Sequence, residues 1–560
     1  MKNKILSIIM AGALMTSLTG CIDEVVPQTN VATVDQVSSA PGAYDNAVSA
    51  ITSTLCGTFP LFGSGNNRPN DLGMPALMLE RDMMGQDIAY PYINWYSYWY
   101  CGNYLGPSYY ICQLPWSYYF KWIKSCNEVI NLAGEEPEES MRAGKGIAYA
   151  MRALFYLEMA RLYAPKPYSK DKTAPTVPYV AETTQINDLA KNPRATNEEM
   201  YAYILSDLDK AEDLLSGYER KDKTTPDQSV VYGLKARTYL DMEDWANARK
   251  YAKLAQAGYK IMTDEEYTSW ETGFNTPNDS WMLCMQYKSD DPQILLNDAD
   301  SSWGSMMCIE INPYVSGCGY AANYGMPFPI DYHLYQTIPA TDFRKKCFID
   351  FAIDEMDEAS ALVALTAYTK HPDWMLETAA AAQGNGYNYG VGGLPLKFRT
   401  AGGEAGRDNQ YVGFVVAVPM MRVEEMYLIE AEAAGMQNEQ EGIQLLTTFA
   451  KTRDANYVYG THNEAYGNTS TPAFQNEVWW QRRVELWGEG FATFDIKRLQ
   501  KGIIRSYAGT NHTDLYRYNT DTTPEWMNYC INQTETNYNT ECTNNPDPSV
   551  TPGNSPEYVW

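Results

Sequence analysis

The densest group of residues with binding chemistry lies between positions 81 and 119. Sugar rings stack their C–H faces on flat aromatic side chains, and their hydroxyl groups hydrogen-bond to amides and charged groups. Arg81 and Asp82 are followed here by an unusually dense run of both residue types: Asn94, Trp95, Tyr96, Tyr98, Trp99, Tyr100, Asn103, Tyr104, Tyr109 and Tyr110. The run predicts a carbohydrate-contacting surface. The candidate ligand contacts in it are Arg81, Asn94, Trp95, Tyr98, Trp99 and Asn103. The alternative interpretation is a wedge of core aromatics or a contact surface for another protein.

A second group of residues carries charges that could serve acid–base chemistry. Its members stand beside apolar residues in helical patterns: Arg422, Glu432, Arg482, Arg483 and Glu485. An unpaired charge in such a position is costly, so we expect these groups to pair internally. Glu430, Glu432 and Glu485 are the candidates for catalysis, but paired catalytic carboxylates need an open cleft, whereas the residues around these three are of core type. The pattern favours a structural role over catalysis.

Other catalytic and metal-binding motifs are missing from the sequence. The four histidines, at 333, 371, 462 and 512, form no HExxH motif, and neither a GxSxG motif nor a phosphate-binding loop is present. The run from Asp298 to Ser302 begins like a calcium loop but lacks its glycine and closing glutamate, so solvated loop acids are favoured. We expect no enzymatic activity, no cofactor and no metal.

The cysteines leave two interpretations open. Neighbouring pairs could bridge loops: Cys101 with Cys112, Cys308 with Cys318, and Cys530 with Cys542. No CxxC spacing indicates zinc or a redox site. Free buried thiols are the alternative.

The first residues have the pattern of a secretion signal. Lys2 and Lys4 precede an apolar run from Ile5 to Leu18, which is too short to span a bilayer comfortably. The segment from Leu18 to Cys21 matches a bacterial lipobox, which predicts signal cleavage after residue 20 and acylation of Cys21. Residues 21–40 would form a tether, and the rest of the chain would lie outside the cytoplasm. An ordinary secretory signal with a chance cysteine is the alternative.

Composition narrows the class of partner. The chain has 560 residues, 45% of them hydrophobic, which is enough for a large core. Its net charge of −26 argues against nucleic acid and other anionic polymers. The 44 tyrosines suit wet binding surfaces, which makes carbohydrate the natural ligand class, although most single tyrosines serve ordinary packing.

Helical patterns supply the elements that must position these residues. Thr196 and Glu199 form a capping box before an amphipathic helix, and a second helix is predicted to begin at Thr225-Pro226 with the proline in its first turn. A third begins near Trp245, with small residues spaced for close helix packing. Upstream, a helix with Ile147 on its apolar face ends before Pro165. The patterns predict a mainly α fold of tetratricopeptide-like helix pairs with few short strands.

Long irregular stretches separate these helices. They span residues 166–195, 270–345, 384–413 and 506–560, and they are rich in Pro, Gly, Asn, Thr and aromatics. Loops of this length in a compact chain are commonly functional. We expect the binding site in such loops.

Five segments, in the same order, resemble the RagB/SusD family of outer-membrane lipoproteins. They are WSYYFKWIKSCNEVINL at 116–132, MRALFYLEMARLYAPKPY at 151–168, YGLKARTYLDMEDWANARKYA at 232–252, MRVEEMYLIEAEAAG at 421–435 and RRVELWGEGFATFDIKRL at 482–499. The resemblance implies an N-terminal helical region at 41–269 and a C-terminal region at 270–560 with loop excursions. It also implies further ligand contacts in a mid-chain excursion, namely Trp303, Tyr320 and Tyr324.

The resemblance further implies a function without bond chemistry. A surface lipoprotein of this type captures oligosaccharides, closes by a hinge motion and delivers them to a SusC-like TonB-dependent barrel. Two alternatives remain open: capture of peptides by the same scaffold, and a surface glycoside hydrolase that uses two carboxylates.

Overall fold

The computed structural model describes residues 42–58, 68–90, 95–295, 301–312, 319–322, 326–349, 351, 353–384 and 393–560. Cys21, Asn94, Asp298, Cys318 and Tyr324 lie outside these ranges. The residues from Ala47 onward form one compact unit. The described chain is mainly helical with two small sheets, so the predicted fold class is confirmed.

The helices of the first half are α1 Ala43–Ser53, α2 Met74–Met83, α3 Ser97–Cys101, α4 Tyr110–Ala133, α5 Glu139–Tyr163, α6 Asn197–Leu214, α7 Gln228–Asp241, α8 Trp245–Ala255 and α9 Asp264–Thr268. Those of the second half are α10 Pro292–Leu295, α11 Trp303–Met307, α12 Tyr332–Thr337, α13 Glu358–Leu365, α14 Pro372–Gly384, α15 Gly403–Arg407, α16 Gln410–Gly413, α17 Val423–Gln437, α18 Glu439–Ala450, α19 Ala473–Glu485, α20 Ala492–Arg498 and α21 Gln533–Tyr538. Short 3-10 helices lie at Ile186–Lys191, Phe343–Cys347, Ile353–Glu355 and Glu525–Met527.

Helix pairs form the scaffold, as the sequence predicts. Helix α5 packs against α4 and α6, α7 packs against α8, and α8 packs against α17. At the α7–α8 contact, Ala248, Ala252 and Ala255 are fully buried, which lets the two helices approach closely. Arg237 on α7 pairs with Glu425 on α17 at 2.7 Å, so the regions before and after residue 270 share one interior.

The helix boundaries follow from local sequence, with one correction. The Thr196 side chain accepts a hydrogen bond from the Glu199 N–H, and the Glu199 carboxylate accepts one from the Thr196 N–H, so the capping box is confirmed. Helix α5 ends at Tyr163 because a residue before proline disfavours helical geometry. The expected start of α7 was wrong: Asp227, not Thr225, caps the helix, and Pro226 lies outside it. An aspartate that accepts a backbone N–H is the stronger start signal.

Both sheets are two-stranded and antiparallel. Strand β1 Pro175–Pro178 pairs with β2 Arg194–Thr196, and β3 Trp281–Gln286 pairs with β4 Ala417–Arg422. Strand β4 is buried along its whole length and leads directly into α17. The second sheet therefore ties residues that are distant in sequence to the helical core.

The C-terminal region from residue 506 has little regular structure but is hydrogen-bonded to the rest of the chain. Tyr529 N–H donates to Leu162 O at 3.1 Å, Gln533 N–H donates to Pro107 O at 2.9 Å, and Val550 N–H donates to Gly102 O at 2.6 Å. These contacts bring the region beside the ends of α3 and α5. It is an ordered part of the fold.

The described cysteines are all buried free thiols. They are Cys56, Cys101, Cys112, Cys126, Cys284, Cys308, Cys347, Cys530 and Cys542. The possible bridges from Cys101 to Cys112 and from Cys530 to Cys542 are therefore not formed. Of the two interpretations left open by the sequence, the structure favours buried thiols for these residues.

None of the helices in the described ranges combines the length and apolar composition required to cross a bilayer.

Candidate functional site

Five aromatic side chains around α3 form a partly exposed group, which we call the aromatic surface: Trp95, Tyr98, Tyr104, Tyr109 and Tyr110. Tyr104 exposes 52% of its surface and Tyr109 43%, whereas the other three are half-buried. Large aromatics are usually covered by the fold, so a cluster with this exposure marks a contact surface.

Ring contacts hold the aromatic surface together. The Tyr98 ring lies edge-on to the rings of Tyr104 and Tyr110, with centroids 6.1 and 5.9 Å away. Tyr104 in turn meets Tyr109 at 5.3 Å. Edge-to-face pairs of this kind are favourable and fix the rings in place. The surface is therefore pre-formed.

A polar segment before α2 supports one side of the aromatic surface. The Arg68 guanidinium lies 5.1 Å from the centre of the Trp95 ring, and the Asn70 amide donates to Trp95 O at 3.1 Å. Burial raises the pKa of Tyr110 to about 12, although its hydrogen bond to Asn70 acts in the opposite direction and lowers the pKa. Its phenol is thus a protonated donor at neutral pH.

The turn after α3 shapes the most exposed part. Gly102 ends the helix in a left-handed conformation, φ 62°, and a Cβ there would meet the Trp526 ring at 3.0 Å. Tyr104 also has positive φ, 55°, which is uncommon for a bulky residue. Such strain persists only where surrounding contacts impose it, and it is frequent at functional sites.

Contacts from distant parts of the chain hold the end of α3, just before Tyr104. Three consecutive carbonyls there each accept one hydrogen bond, either from Arg505 or from the C-terminal region that follows it. Arg505 Nη1 donates to Tyr100 O at 2.6 Å, the Tyr518 hydroxyl donates to Cys101 O at 3.1 Å, and Val550 N–H donates to Gly102 O at 2.6 Å. The end of a helix leaves carbonyls without partners, so these donors fix its position.

Sequence reasoning missed several residues beside the aromatic surface. Arg68 and Asn70 precede the predicted stretch, and Tyr516 and Tyr518 follow it by nearly 400 positions. The Tyr516 ring is 6.3 Å from that of Tyr518. Burial raises the pKa of Tyr516, and the neighbouring Cys101 and Tyr104 raise it further. The tyrosine content of residues 506–560 indicated a functional loop, but nothing local indicated where it packs.

Among the predicted contacts, Trp95, Tyr98 and Asn103 remain accessible, whereas Arg81 is interior. Arg81 is 3% exposed, pairs with Glu158 at 3.0 Å and donates to Gly490 O at 2.9 Å. These bonds join α2 to the end of α5 and to the segment before α20. Its environment is that of a structural ion pair, so we leave Arg81 out of the proposed ligand contacts.

Three further predicted contacts have buried side chains: Trp99 is 1% exposed, Trp303 0% and Tyr320 3%. The Trp303 ring packs edge-on against Phe398 at 5.1 Å. We leave these three out as well. The mid-chain excursion still reaches the neighbourhood of the aromatic surface, because the Ser301 hydroxyl donates to Arg68 O at 2.8 Å.

The carboxylates considered for catalysis are paired inside the protein. Glu485 is fully buried between three guanidinium groups, with contacts of 3.0 Å to Arg453, 3.1 Å to Arg422 and 3.2 Å to Arg344. Burial alone would raise the pKa of Glu485, but the three arginines hold it well below its usual range. A carboxylate held ionised in this way cannot act as a general acid.

The remaining charges of this group are paired too. Glu432 binds Arg498 at 2.5 Å, Arg482 binds Asp495 at 2.7 Å, and Arg483 binds Asp87 at 2.6 Å. Glu430 accepts a hydrogen bond from Gln256 at 2.7 Å. The predicted internal pairing is confirmed.

The histidines are engaged in packing. His371 and His462 stack on Trp374 and Trp480 at 3.7 and 3.5 Å, and burial lowers the pKa of His462 to about 4. His512 is buried, with Nδ1 2.8 Å from the Tyr100 hydroxyl. Within the described ranges, no three His, Cys, Asp or Glu side chains are placed to hold a metal.

A groove of about 890 Å³ lies between α4, α5 and α6. Its cations are already engaged: Arg142 pairs with Asp213 at 2.9 Å, and Lys145 donates to the Gly134 and Glu135 carbonyls. The Tyr149 ring has Lys210 and Arg152 over it at 4.9 and 5.3 Å, which leaves little aromatic area for a ligand. We therefore take the aromatic surface, and not this groove, as the candidate site.

Two family models match the sequence. Residues 80–240 match a SusD-like model described as starch-binding and associating with the outer membrane, and residues 333–560 match the SusD family model. A SusD-like protein of Bacteroides ovatus is 27% identical over 191 residues, which is 31% of this chain and 32% of that relative. The matched part thus spans about a third of that protein's length.

Solved structures with the same fold cover nearly all of the chain. A SusD-like carbohydrate binding protein from Bacteroides vulgatus superposes with a TM-score of 0.67 at 21% identity, over 90% of this chain and 97% of that one. Surface glycan-binding protein A of Bacteroides thetaiotaomicron, in complex with laminarihexaose, gives a TM-score of 0.61 at 17% identity, over 89% and 98%. These structures share the fold of this chain, and because the two SusD family models together match well over half of its residues, the chain belongs to the SusD/RagB family.

Proposed function

We propose that this protein captures oligosaccharides on its aromatic surface and delivers them to a SusC-like TonB-dependent barrel in the outer membrane. The observation that carries the proposal is the pre-formed, partly exposed cluster of Tyr98, Tyr104 and Tyr109. Rings fixed before binding lose little conformational entropy when a ligand stacks on them.

The chemistry around the rings fits a hydroxylated ligand. Asn103 is half-buried beside the exposed Tyr104, and tyrosine hydroxyls both donate and accept hydrogen bonds. Aromatic faces with a few polar groups at their edges provide stacking and orientation for a sugar ring. The surface lies in the stretch from 81 to 119, where the sequence places the candidate contacts.

The relatives support the ligand class. One family model carries a starch-binding description, and one structural neighbour is a glycan-binding protein in complex with laminarihexaose. Our proposal extends carbohydrate binding to this chain without naming the sugar or its linkage.

We further propose that the protein performs no bond chemistry. The acids singled out in the sequence are buried and paired with arginines or an amide, so they do not form an open pair across a bond to be cleaved. Glycan capture by binding alone is therefore the simplest function for this site.

The proposed location is the outer membrane, through acylation of Cys21. The motif at Leu18–Cys21 and the family description of association with the outer membrane support this. A lipid anchor would hold the protein beside its barrel.

The decisive experiment is affinity electrophoresis and calorimetry of the mature protein with a glycan panel. The panel contains laminarin, starch, xylan and pectin, and laminarihexaose and maltoheptaose as defined oligosaccharides. We expect at least one polymer to slow the migration of the protein in the gel. A Tyr98→Ala, Tyr104→Ala double variant should lose at least about tenfold in affinity, because contacts with each aromatic ring are worth on the order of 1 kcal/mol.

A matched control is Tyr538→Ala, which removes a tyrosine with 54% exposure on α21 and should leave affinity unchanged. Product analysis of the same incubations distinguishes capture from cleavage. Shortened glycans would favour the hydrolase alternative, and binding of a peptide digest in place of every glycan would favour the peptide alternative.

A further inference from the structure

Trp560 is the most exposed tryptophan in the described part of the chain, with 45% of its surface accessible. Its neighbour Tyr558 is 44% exposed. Neither residue belongs to the aromatic surface, and neither is used by the function proposed above. An exposed indole forgoes much of the stabilisation that burial provides, so its placement calls for an explanation.

The indole ring has one covered face. It stacks on the imidazole of His333 with centroids 3.3 Å apart and planes 2° from parallel. Tyr466 and Tyr507 meet it at 5.6 and 5.9 Å with steeply inclined rings. The imidazole covers one face of the indole, and 45% of the surface of Trp560 remains accessible beside these contacts. The Tyr558 ring stands beside it at 5.0 Å, inclined by 67°.

The segment that carries these rings is firmly held. Tyr558 N–H donates to Ser506 O at 2.8 Å, and Ser555 N–H donates to Arg517 O at 2.9 Å. The Asn519 amide donates to Pro556 O at 2.9 Å. His333 is fixed in turn by Glu464, whose carboxylate is 2.7 Å from its Nε2. The indole is therefore a rigid platform and not a loose side chain.

The size of the patch distinguishes between two kinds of partner. Two aromatic rings that expose less than half of themselves present roughly 200 Å² together. A stable protein interface buries about 800 Å² on each side. The patch is thus too small for a protein partner alone, but a flat ring with an inclined neighbour suits one or two sugar rings.

We propose that Trp560 and Tyr558 form a second carbohydrate-binding platform, separate from the aromatic surface, which takes neutral sugar rings of the same cargo. The inference rests on the proposed function. Two platforms on one protein retain a long glycan more firmly than one, because the second contact is made at high effective concentration.

The test compares five forms of the mature protein on the same glycan panel: wild type, Trp560→Ala, Trp560→Phe, the Tyr98→Ala, Tyr104→Ala double variant, and the combination of this double variant with Trp560→Ala. The double variant should keep weak residual retardation by polymeric glycans, and the combination should lose it. Trp560→Ala alone should weaken polymer binding several-fold. Trp560→Phe, which keeps a flat ring, should weaken polymer binding less than Trp560→Ala does. Thermal unfolding of each form checks that the fold is retained.

The outcomes separate this inference from the proposed function. Absence of glycan binding by the wild type would overturn both. A second outcome is that the wild type binds glycan and that Trp560→Ala does not change this binding, either as a single substitution or when added to the double variant. This outcome overturns the second platform only. If Trp560→Ala keeps its glycan binding but no longer co-purifies with a barrel protein, Trp560 belongs to a protein contact, and the inference would again be wrong.

Discussion

Glu485 shows how single charges hold the interior of this protein. It is surrounded by Arg344, Arg422 and Arg453, and a second acid, Glu489, pairs with Arg422 at 2.8 Å. Such clusters stabilise only when every member has a partner, because an uncompensated buried charge is expensive. Sequence patterns predicted the pairing, but the three arginine partners of Glu485 come from three distant segments.

Replacing Glu485 by Gln should therefore be severely destabilising. Three guanidinium groups would lose a shared counter-charge, at a cost of about 3 to 5 kcal/mol in the free energy of unfolding. Urea unfolding followed by circular dichroism measures this. The control Glu441→Gln removes the partner of Arg249 in a half-exposed pair and should cost less than about 1 kcal/mol. Equal losses in both variants would contradict the cluster's role.

Lys497 gives the protein a pH dependence of stability. Its ammonium group is buried and donates to the carbonyls of Leu162, Ala164 and Met527, at 3.0 to 3.2 Å. Burial lowers the pKa of Lys497 to about 7. Between that pH and the ordinary lysine pKa of about 10.4, the unfolded chain binds more protons than the folded one, so stability rises with pH.

We expect the free energy of unfolding to increase from pH 7 to pH 10 by at most about 1.4 kcal/mol per pH unit from this residue. Lys497→Met should remove that slope and also lower stability overall, because three buried carbonyls lose their donor. Unfolding measured at pH 6, 7, 8, 9 and 10 provides both quantities. Parallel curves for the two proteins would show that Lys497 stays charged throughout.

Among the elements, α2 depends on one glycine. Gly73 precedes the helix with φ 78°, and a Cβ there would lie 2.1 Å from Leu55 O, which accepts a hydrogen bond from Met74 N–H at 2.7 Å. Only glycine allows this close approach of two backbones. The contact places α2 against the end of the segment that follows α1.

Gly73→Ala should lower the free energy of unfolding by at least about 2 kcal/mol. The added Cβ would force the backbone to move away from Leu55 O, and alanine is also strained at this positive φ. Gly134→Ala is a matched control: φ is 68° there as well, but nothing lies within 4 Å of an added Cβ. We expect that control to cost about 1 kcal/mol from the backbone conformation alone. Thermal and urea unfolding of the two variants make the comparison.

The end of α3 depends on donors from the C-terminal region, so the binding surface can be disturbed from a distance. Tyr518→Phe removes the hydroxyl that donates to Cys101 O. A hydrogen bond of this kind contributes about 0.5 to 1.5 kcal/mol, so we expect a loss of up to about tenfold in glycan affinity. Calorimetry with the best oligosaccharide measures it.

Tyr538→Phe is the control for this substitution, because that tyrosine is exposed on α21. A loss of thermal stability in Tyr518→Phe without any change in affinity would mean that the hydrogen bond supports the fold and not the surface.

For the molecule as a whole, the prediction concerns attachment to the membrane. Cys21→Ser should abolish acylation and release the protein from the membrane fraction into the soluble secreted fraction. Cell fractionation with immunoblotting measures this, and metabolic labelling with a fatty acid shows the modification directly. Continued membrane association of unlabelled Cys21→Ser would assign attachment to another part of the chain or to its partner.

Much of the architecture was predictable because it depends on interactions between residues that are close in sequence. The capping box at Thr196, the proline exit after α5 and the alanines of α8 each act through neighbours within one or two helical turns. The start of α7 was misplaced because two start signals, Pro226 and Asp227, stand side by side and only one is used.

The candidate site was only partly predictable. Trp95, Tyr98 and Asn103 lie at an accessible surface, but Arg81, Trp99, Trp303 and Tyr320 point inward, and sequence density alone does not separate the two groups. An aromatic ring serves a core and a sugar site equally well. Which of them stays accessible depends on the packing of residues far away in sequence.

The sequence by itself determined the helical class, the pairing of buried charges and the location of an aromatic-rich stretch, since periodicity and residue type act locally. Only the tertiary structure decided which aromatics face solvent, that residues 500–550 hold the end of α3, and that Trp560 rests on His333. These features join positions hundreds of residues apart, and long-range contacts of that kind leave no periodic signal in one sequence.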